Sequence, residues 1–308
     1  MGQSLAAYIL RRCAWLVIVL FIIATASFFL MRFAPGGPFD KERNLPVAIE
    51  ENLNAKYHLD RSLGVQYAIY MGGLVRGDLG PSFKYRNRSV NDIIAQSLPI
   101  SLTLGVYALA FAFIVGVAAG TLAAVKKHSG LDFATMTVAM IGISLPNFVL
   151  GLLLLLLFCF KLPLFPAAGW GSPGQMVLPV LSLAAPFVAY VARLMRASML
   201  DVLSQPYIRT ARAKGLSEFQ IVFRHAFKNA ITPVISFMGP AAAAILTGSV
   251  VIEKTFAIPG LGTHFVNAAL NRDYTLVMGT VLLYSLLLVV FNLVVDILYS
   301  FIDPRVRI

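Results

Sequence analysis

Charged side chains and cysteines are scarce in this chain. Asp, Glu, Lys and Arg make up 13% of its 308 residues, whereas hydrophobic residues make up 58% and the mean hydropathy is +0.80. This composition is far from that of soluble globular proteins. Cys13 and Cys159 both lie inside apolar runs, so a disulfide framework is not expected. The sequence therefore predicts that lipid surrounds much of the chain.

Motifs for metal and nucleotide binding are missing. The histidines His58, His128, His225 and His264 are scattered, and there is no HExxH sequence or Cys/His cluster. The chain also lacks GxxxxGK[ST], the glycine-rich turn whose backbone amides bind nucleotide phosphates. We therefore expect no metal, no cofactor and no enzymatic activity of its own.

The chain is basic, with a net charge of +11. In a soluble protein this charge would suggest a nucleic-acid partner, but in a membrane protein Lys and Arg collect in cytoplasmic loops. The hydropathy favours the second interpretation, so we expect a lipid bilayer and no nucleic acid.

Six apolar segments are candidates for membrane-spanning helices, each of which needs about 20 residues. They are Cys13 to Met31, Ile93 to Val125, Phe133 to Phe160, Met176 to Ala192, Asn229 to Ile252 and Tyr274 to Val295. The fourth is expected to continue past Arg193 to about Leu200, with its arginines reaching the interface by snorkelling. Pro146 interrupts the third segment and Pro186 the fourth. The sequence predicts an all-α polytopic membrane protein with about six transmembrane helices.

The distribution of basic residues predicts that both termini are cytoplasmic. In that orientation the short outer loops hold only Lys161, Lys254 and Arg272, and most other lysines and arginines fall inside. An alternative is that the first segment is a cleaved signal peptide, because Arg11 and Arg12 precede an apolar run containing Ala24-Thr25-Ala26. That run is long for a signal peptide, and cleavage would leave the other spans oriented as before.

Three regions follow from these spans. Residues 1–32 form an N-terminal tail and the first span, 33–98 an external segment, and 99–308 a core with the other five spans. The external segment opens with Pro35-Gly36-Gly37-Pro38 and has two candidate helices, near Pro46 to Tyr57 and Gly64 to Val75.

The core contains a cytoplasmic segment, residues 201–228, that we call the paired-helix loop. Pro206 suits the first turn of a helix, with Gln205 or Ser204 as its cap, and Gly215 stops that helix. Ser217 and Gln220 then form a capping box, and Ile221, Val222, Phe223, Ala226 and Phe227 give the second helix an apolar side. The loop is either a stiff projection that carries force or an ordinary basic loop that only fixes topology.

These residues resemble the membrane permease subunits of ATP-binding-cassette importers for oligopeptides, dipeptides and nickel. The resemblance is strongest at Arg193 to Leu203, Tyr207 to Gly215 and Arg224 to Ala230, which together look like the coupling loop called the EAA motif. Arg209, Thr210 and Ala211 stand where importers generally have Glu-Ala-Ala, and the peptide branch is known for this variant.

Weaker matches occur along the chain in the family's order. They are Gly77 to Ser82, Gly248 to Glu253, Pro259 to Gly262, Arg272 to Tyr274 and Asp296 to Arg305. The stretch Gly80 to Asp92 is similar to oligopeptide members in particular, and the resemblance favours their B-type subunits.

The resemblance implies a type I importer permease fold in a bacterial inner membrane. It also implies a second homologous permease, two cytoplasmic ATPases that use ATP and Mg²⁺, an external solute-binding protein and a peptide substrate. The residues expected to couple to an ATPase are Arg209, Thr210, Ala211, Arg212, Lys214, Gly215, Arg224 and His225. Glu253 and Asp296 are candidates for lining the pathway or pairing helices.

Two other functional classes also place many apolar helices in a membrane. A secondary transporter should show helices broken near the midplane or several intramembrane acids, and only Asp296 is a plausible one. A membrane-embedded hydrolase needs a metal motif or a nucleophile with a base in the bilayer, and no predicted span holds a histidine. Within the resembling family, a permease for dipeptides or nickel is the alternative.

Overall fold

The computed structural model describes residues 5–34, 55, 57–85, 87–247 and 249–302, with side chains described at all of these except 5–9, 246–247 and 295–302. The predicted proline and glycine turn at 35–38 and most of the first external helix lie outside the described residues, as do the basic residues Arg305 and Arg307.

Helices make up most of the described chain. They are α1 (Leu5–Phe33), α2 (Leu63–Val75), α3 (Val90–Val125), α4 (Gly130–Ser144), α5 (Asn147–Leu155), α6 (Pro173–Leu203), α7 (Pro206–Ala213), α8 (Glu218–Gln220), α9 (Phe227–Ala230), α10 (Thr232–Thr247), α11 (Val250–Thr255), α12 (Leu261–Asn271) and α13 (Tyr274–Ile302). Two π-helical turns, Leu156–Lys161 and Ile221–Ala226, extend α5 and join α8 to α9.

Within the described residues, four helices are long and apolar enough to cross a membrane. They contain Leu10–Phe33, Val90–Val125, Pro173–Leu203 and Tyr274–Val294. A fifth candidate is the pair Gly130–Ser144 and Asn147–Lys161, which is bent by 106°. The predicted segment from Asn229 to Ile252 is divided between two shorter helices, α10 and α11.

The prolines act differently in the two segments that they were expected to interrupt. Pro146 is the N-cap residue of α5 and lies at the bend, as predicted. Helix α6 continues through both Pro179 and Pro186 over 31 residues. The predicted interruption at Pro186 is therefore wrong.

The contacts divide the chain into two units. One comprises residues 1–5, 101–258 and 288–308, and the other comprises 6–100 and 259–287. In the first, α3 packs closely on α6 through glycines spaced four residues apart. A Cβ on Gly116 would lie 2.7 Å from Val191 Cβ, and one on Gly120 would lie 2.8 Å from Met195 Cβ. Small residues at this spacing let two apolar helices approach when lipid gives no hydrophobic drive.

The same unit contains an ion pair that sequence reasoning missed. Arg196 Nε and Nη2 donate to the two carboxylate oxygens of Asp132 at 2.6 and 2.8 Å. Asp132 is 5% exposed and also accepts from the His128 backbone amide. The pair fixes the start of α4 to α6. Arg196, which was expected to reach the membrane–water interface by snorkelling, therefore also has a partner within the protein.

We predict that Gly120→Ala destabilises the protein by about 1–3 kcal/mol, because the new methyl group forces α3 and α6 apart. Thermal unfolding of the purified protein in detergent measures this change. Gly72→Ala is the matched control, since a Cβ on Gly72 in α2 meets no atom within 4 Å. Equal unfolding temperatures for the two variants would contradict the close packing.

Candidate functional site: the paired-helix loop

The first helix of the paired-helix loop begins and ends where the sequence predicts. Gln205 is the N-cap residue and Pro206 the first residue of α7. Gly215 has a φ of +78°, which is favourable only for glycine and a few polar residues. Its amide donates to Arg212 O at 2.9 Å, and the Leu216 amide donates to Ala211 O at 3.4 Å. These two bonds form a Schellman motif, which satisfies carbonyls left over at the helix end.

The second helix begins with the predicted capping box. The Gln220 amide donates to Ser217 Oγ at 3.3 Å, and the Ser217 amide donates to Gln220 Oε1 at 3.1 Å. Beyond Gln220 the backbone forms the π-helical turn Ile221–Ala226, which changes the side-chain register from that of an α-helix.

An ion pair connects the two helices across the glycine. Arg212 Nε and Nη2 donate to Glu218 Oε1 and Oε2 at 2.8 and 3.2 Å. These bonds hold the pKa of the Glu218 carboxyl below its ordinary value. The contribution of the pair to stability is present above the ordinary pKa of Glu and is lost as the pH falls through the lowered one. Both side chains are well exposed, so water weakens the attraction.

The apolar side of the loop is buried against the long helices of its unit. Ile208 and Ile221 are fully buried, and they pack in one cluster with Met195 and Met199 of α6. Ala211, Val222 and Ala226 belong to the same cluster. The Asn229 side-chain amide also donates to Tyr207 Oη at 3.0 Å, which connects α9 to α7. The loop is thus part of a packed core.

The outward side of the loop carries two phenylalanines. Phe219 is 71% and Phe223 53% exposed, and their ring centroids lie 4.7 Å apart. The sequence grouped Phe223 with Ile221, Val222 and Ala226 on one apolar side, but those three residues are buried and Phe223 is not. Phe227 is half-buried, with its ring 6.1 Å from that of Phe223.

The remaining predicted residues of the loop are divided between its two sides. Arg209, Lys214 and Arg224 are exposed, whereas Ala211 is buried. Thr210 is exposed and its hydroxyl donates to Pro206 O at 3.2 Å. His225 Nδ1 lies 3.3 Å from Gln220 O. Arg212 already has Glu218 as its partner. Arg209 and Lys214, which precede and follow Arg212 in the sequence, are the other exposed cations at the first helix.

The two candidates for lining the pathway or pairing helices, Glu253 and Asp296, lie outside the paired-helix loop. Glu253 is fully buried in α11 and accepts a short hydrogen bond from Ser249 Oγ. Asp296 lies in α13, but its side chain is outside the described residues.

Sequence reasoning also missed the role of Asp273 in the second unit. Its buried carboxylate accepts from the Ser82 hydroxyl and from the backbone amides of Phe83 and Lys84. Asp273 thus joins the motif at 77–82 to the motif at 272–274. The signal in the sequence was the pair of motifs itself, but nothing in it showed that they touch.

We predict that Gly215→Val destabilises the loop by about 1–3 kcal/mol, because a β-branched residue is strained at positive φ. Since a Cβ there meets no atom within 4 Å, conformation and not crowding is the cause. Hydrogen–deuterium exchange of the amides at 206–230 measures the loss of protection. Gly215→Asn is the control, because Asn tolerates this conformation. Equal exchange in both variants would contradict the role of the glycine.

Comparison with known families gives one match over most of the core. The family described as "Binding-protein-dependent transport system inner membrane component" matches residues 116–308. Among curated proteins, the chain is 49% identical over 302 residues to the oligopeptide transport system permease protein OppB of Haemophilus influenzae, covering 97% of this chain and 99% of that one. It is 46% identical over 304 residues to the dipeptide transport system permease protein DppB of Bacillus subtilis, covering 99% of each.

Solved structures share the fold at low sequence identity. An inward-facing MetNI methionine ABC transporter matches with a TM-score of 0.59 at 15% identity, over 68% of this chain and 96% of that one. An amino acid ABC transporter matches with a TM-score of 0.52 at 17% identity, over 68% and 94%. These two likenesses concern the fold alone.

Proposed function

The chain belongs to the family of binding-protein-dependent transport system inner membrane components, and on that premise we propose that it is the permease subunit of an ATP-driven importer of oligopeptides. The observation that supports oligopeptides as the substrate is the 49% identity to an oligopeptide permease over nearly the full length of both chains. The similarity to a dipeptide permease at 46% makes dipeptides the second candidate class.

The proposed assembly contains more than this chain. A second, homologous permease forms the other half of the pathway, two cytoplasmic ATPases hydrolyse ATP with Mg²⁺, and an external solute-binding protein delivers the peptide. The absence of a GxxxxGK[ST] sequence supports the assignment of hydrolysis to the partners.

The paired-helix loop is the proposed contact with one ATPase. Its buried side is fixed to α6, so a push on the exposed side is transmitted to a long helix. Its exposed residues include the adjacent rings of Phe219 and Phe223 and the cations Arg209 and Lys214, and aromatic anchors together with cations are typical of protein interfaces. ATPase closure would then move this unit as a rigid body and open the pathway to the other side.

Reconstituted transport tests the function. The complex in liposomes should take up labelled oligopeptide only with ATP and a loaded binding protein, and dipeptides should compete poorly. Stronger competition by dipeptides would favour the second substrate class. Uptake by this chain alone, without ATP, would contradict the proposal and favour a secondary transporter.

We predict that the double variant Phe219→Ala, Phe223→Ala lowers peptide-stimulated ATP hydrolysis at least about tenfold, because aromatic anchors dominate such interfaces. The measurement is ATPase activity of the reconstituted complex, with co-purification of the ATPases as a second readout. Phe133→Ala is the control, since Phe133 is 77% exposed on α4 and distant in sequence from the loop. Unchanged activity in the double variant would exclude these rings from the contact.

A further inference from the structure

The second unit contains a cavity that the proposed mechanism does not use. Its volume is about 250 Å³. Phe28 and Arg32 of α1, Gln66 and Tyr70 of α2, and Met278 of α13 line it. Ligand pockets for whole drug-sized molecules begin at about 300 Å³, so this cavity has room for one amino-acid residue and not for an entire oligopeptide.

Two hydrogen-bond donors, Arg32 and Tyr70, belong to the lining. Arg32 is half-buried, and its guanidinium lies 5.4 Å from the centre of the Phe28 ring without a carboxylate partner among the described residues. The Tyr70 hydroxyl is buried and accepts or donates no hydrogen bond there. Burial raises the pKa of Tyr70, so the hydroxyl keeps its proton and remains a donor.

One acceptor of the lining is also unsatisfied. Gln66 is 8% exposed, and its Nε2 donates to Leu59 O at 3.2 Å and Arg61 O at 2.7 Å. These two carbonyls fix the orientation of the amide, so Oε1 is the other end, and it has no hydrogen-bond partner among the described residues. Buried polar groups without partners are costly and rare, which indicates that the cavity is built to receive a polar ligand.

The rest of the lining is largely apolar and aromatic. The Phe28 and Tyr70 rings stack with centroids 5.6 Å apart, and Met278 adds a flexible apolar surface. Asp78 also lines the cavity, but its Oδ1 accepts from the Gly80 amide at 2.9 Å. Tyr70 Oη and Gln66 Oε1 are thus the buried lining atoms without a hydrogen-bond partner among the described residues, and Arg32, His58 and Asp78 are the ionisable groups beside them.

We infer that this cavity binds the C-terminal residue of a peptide. The carboxylate accepts from Arg32 and Tyr70, the amide N–H donates to Gln66 Oε1, and an apolar side chain packs on Phe28, Tyr70 and Met278. A C-terminal residue is the ligand that supplies these three groups together in the available volume. The choice of a peptide as the ligand rests on the proposed function.

A photoreactive tripeptide tests the inference without nucleotide. Alanyl-alanyl-photoleucine, whose diazirine side chain is close to leucine in size, is crosslinked to the complex in lipid nanodiscs, as the free acid and as the C-terminal amide, and labelled residues are mapped by mass spectrometry. The free acid should label residues 57–83 at least about tenfold more than the amide, since hydrogen bonds to a charged group are strong. Equal labelling by acid and amide would overturn the inference, and this comparison needs no variant.

Two variants sharpen the result. Arg32→Gln should reduce labelling by the acid to the level of the amide, whereas Arg76→Gln should not change it, because Arg76 is exposed and does not line the cavity. ATP-dependent uptake of the tripeptide is measured in parallel. Uptake without acid-dependent labelling overturns the cavity assignment alone, and acid-dependent labelling without uptake supports the cavity and contradicts the proposed function.

Discussion

Burial of the apolar side of the paired-helix loop against α6 is the contact on which the proposed mechanism depends. Ile208 and Ile221 are fully buried beside Met195 and Met199, so the loop cannot move far without exposing apolar surface. Each such side chain contributes about 1.5–3 kcal/mol when removed from water. These contacts attach the short segment to a 31-residue helix.

The rigidity of the loop is reinforced locally by groups that leave its outer side available. The Schellman motif at Gly215, the capping box at Ser217 and the ion pair of Arg212 with Glu218 all satisfy polar groups within the loop. The exposed rings of Phe219 and Phe223 have no such internal role. One side of the loop is therefore packed against the protein, and the other is the side proposed to contact the ATPase.

Local signals in the sequence predicted the helix boundaries of this site well. Pro206, Gly215 and the Ser217 with Gln220 pair each act within a few residues, so their effect can be read without a structure. The π-helical turn could not be predicted, because the α-helical period assumed for Ile221 to Phe227 fits the same residues.

Contacts between distant residues were the second kind of feature that the sequence did not reveal. Asp132 and Arg196 are 64 residues apart, and Asp273 and Ser82 are 191 apart. At Pro186 the sequence predicted a feature that is absent. Proline locally favours a break, but α6 stays helical through this residue.

Rigidity of the loop on its unit is the central claim, and a distance within the chain tests it most directly. Spin labels are attached at exposed Lys127, after α3, and exposed Lys214, in the loop, after replacement of Cys13 and Cys159. The distance is measured by pulsed electron resonance in the nucleotide-free and the ATP-trapped complex. The account predicts a change of no more than about 2 Å, as expected for a rigid body. A change of more than about 5 Å, roughly one helical turn, would show that the loop moves independently and would contradict it.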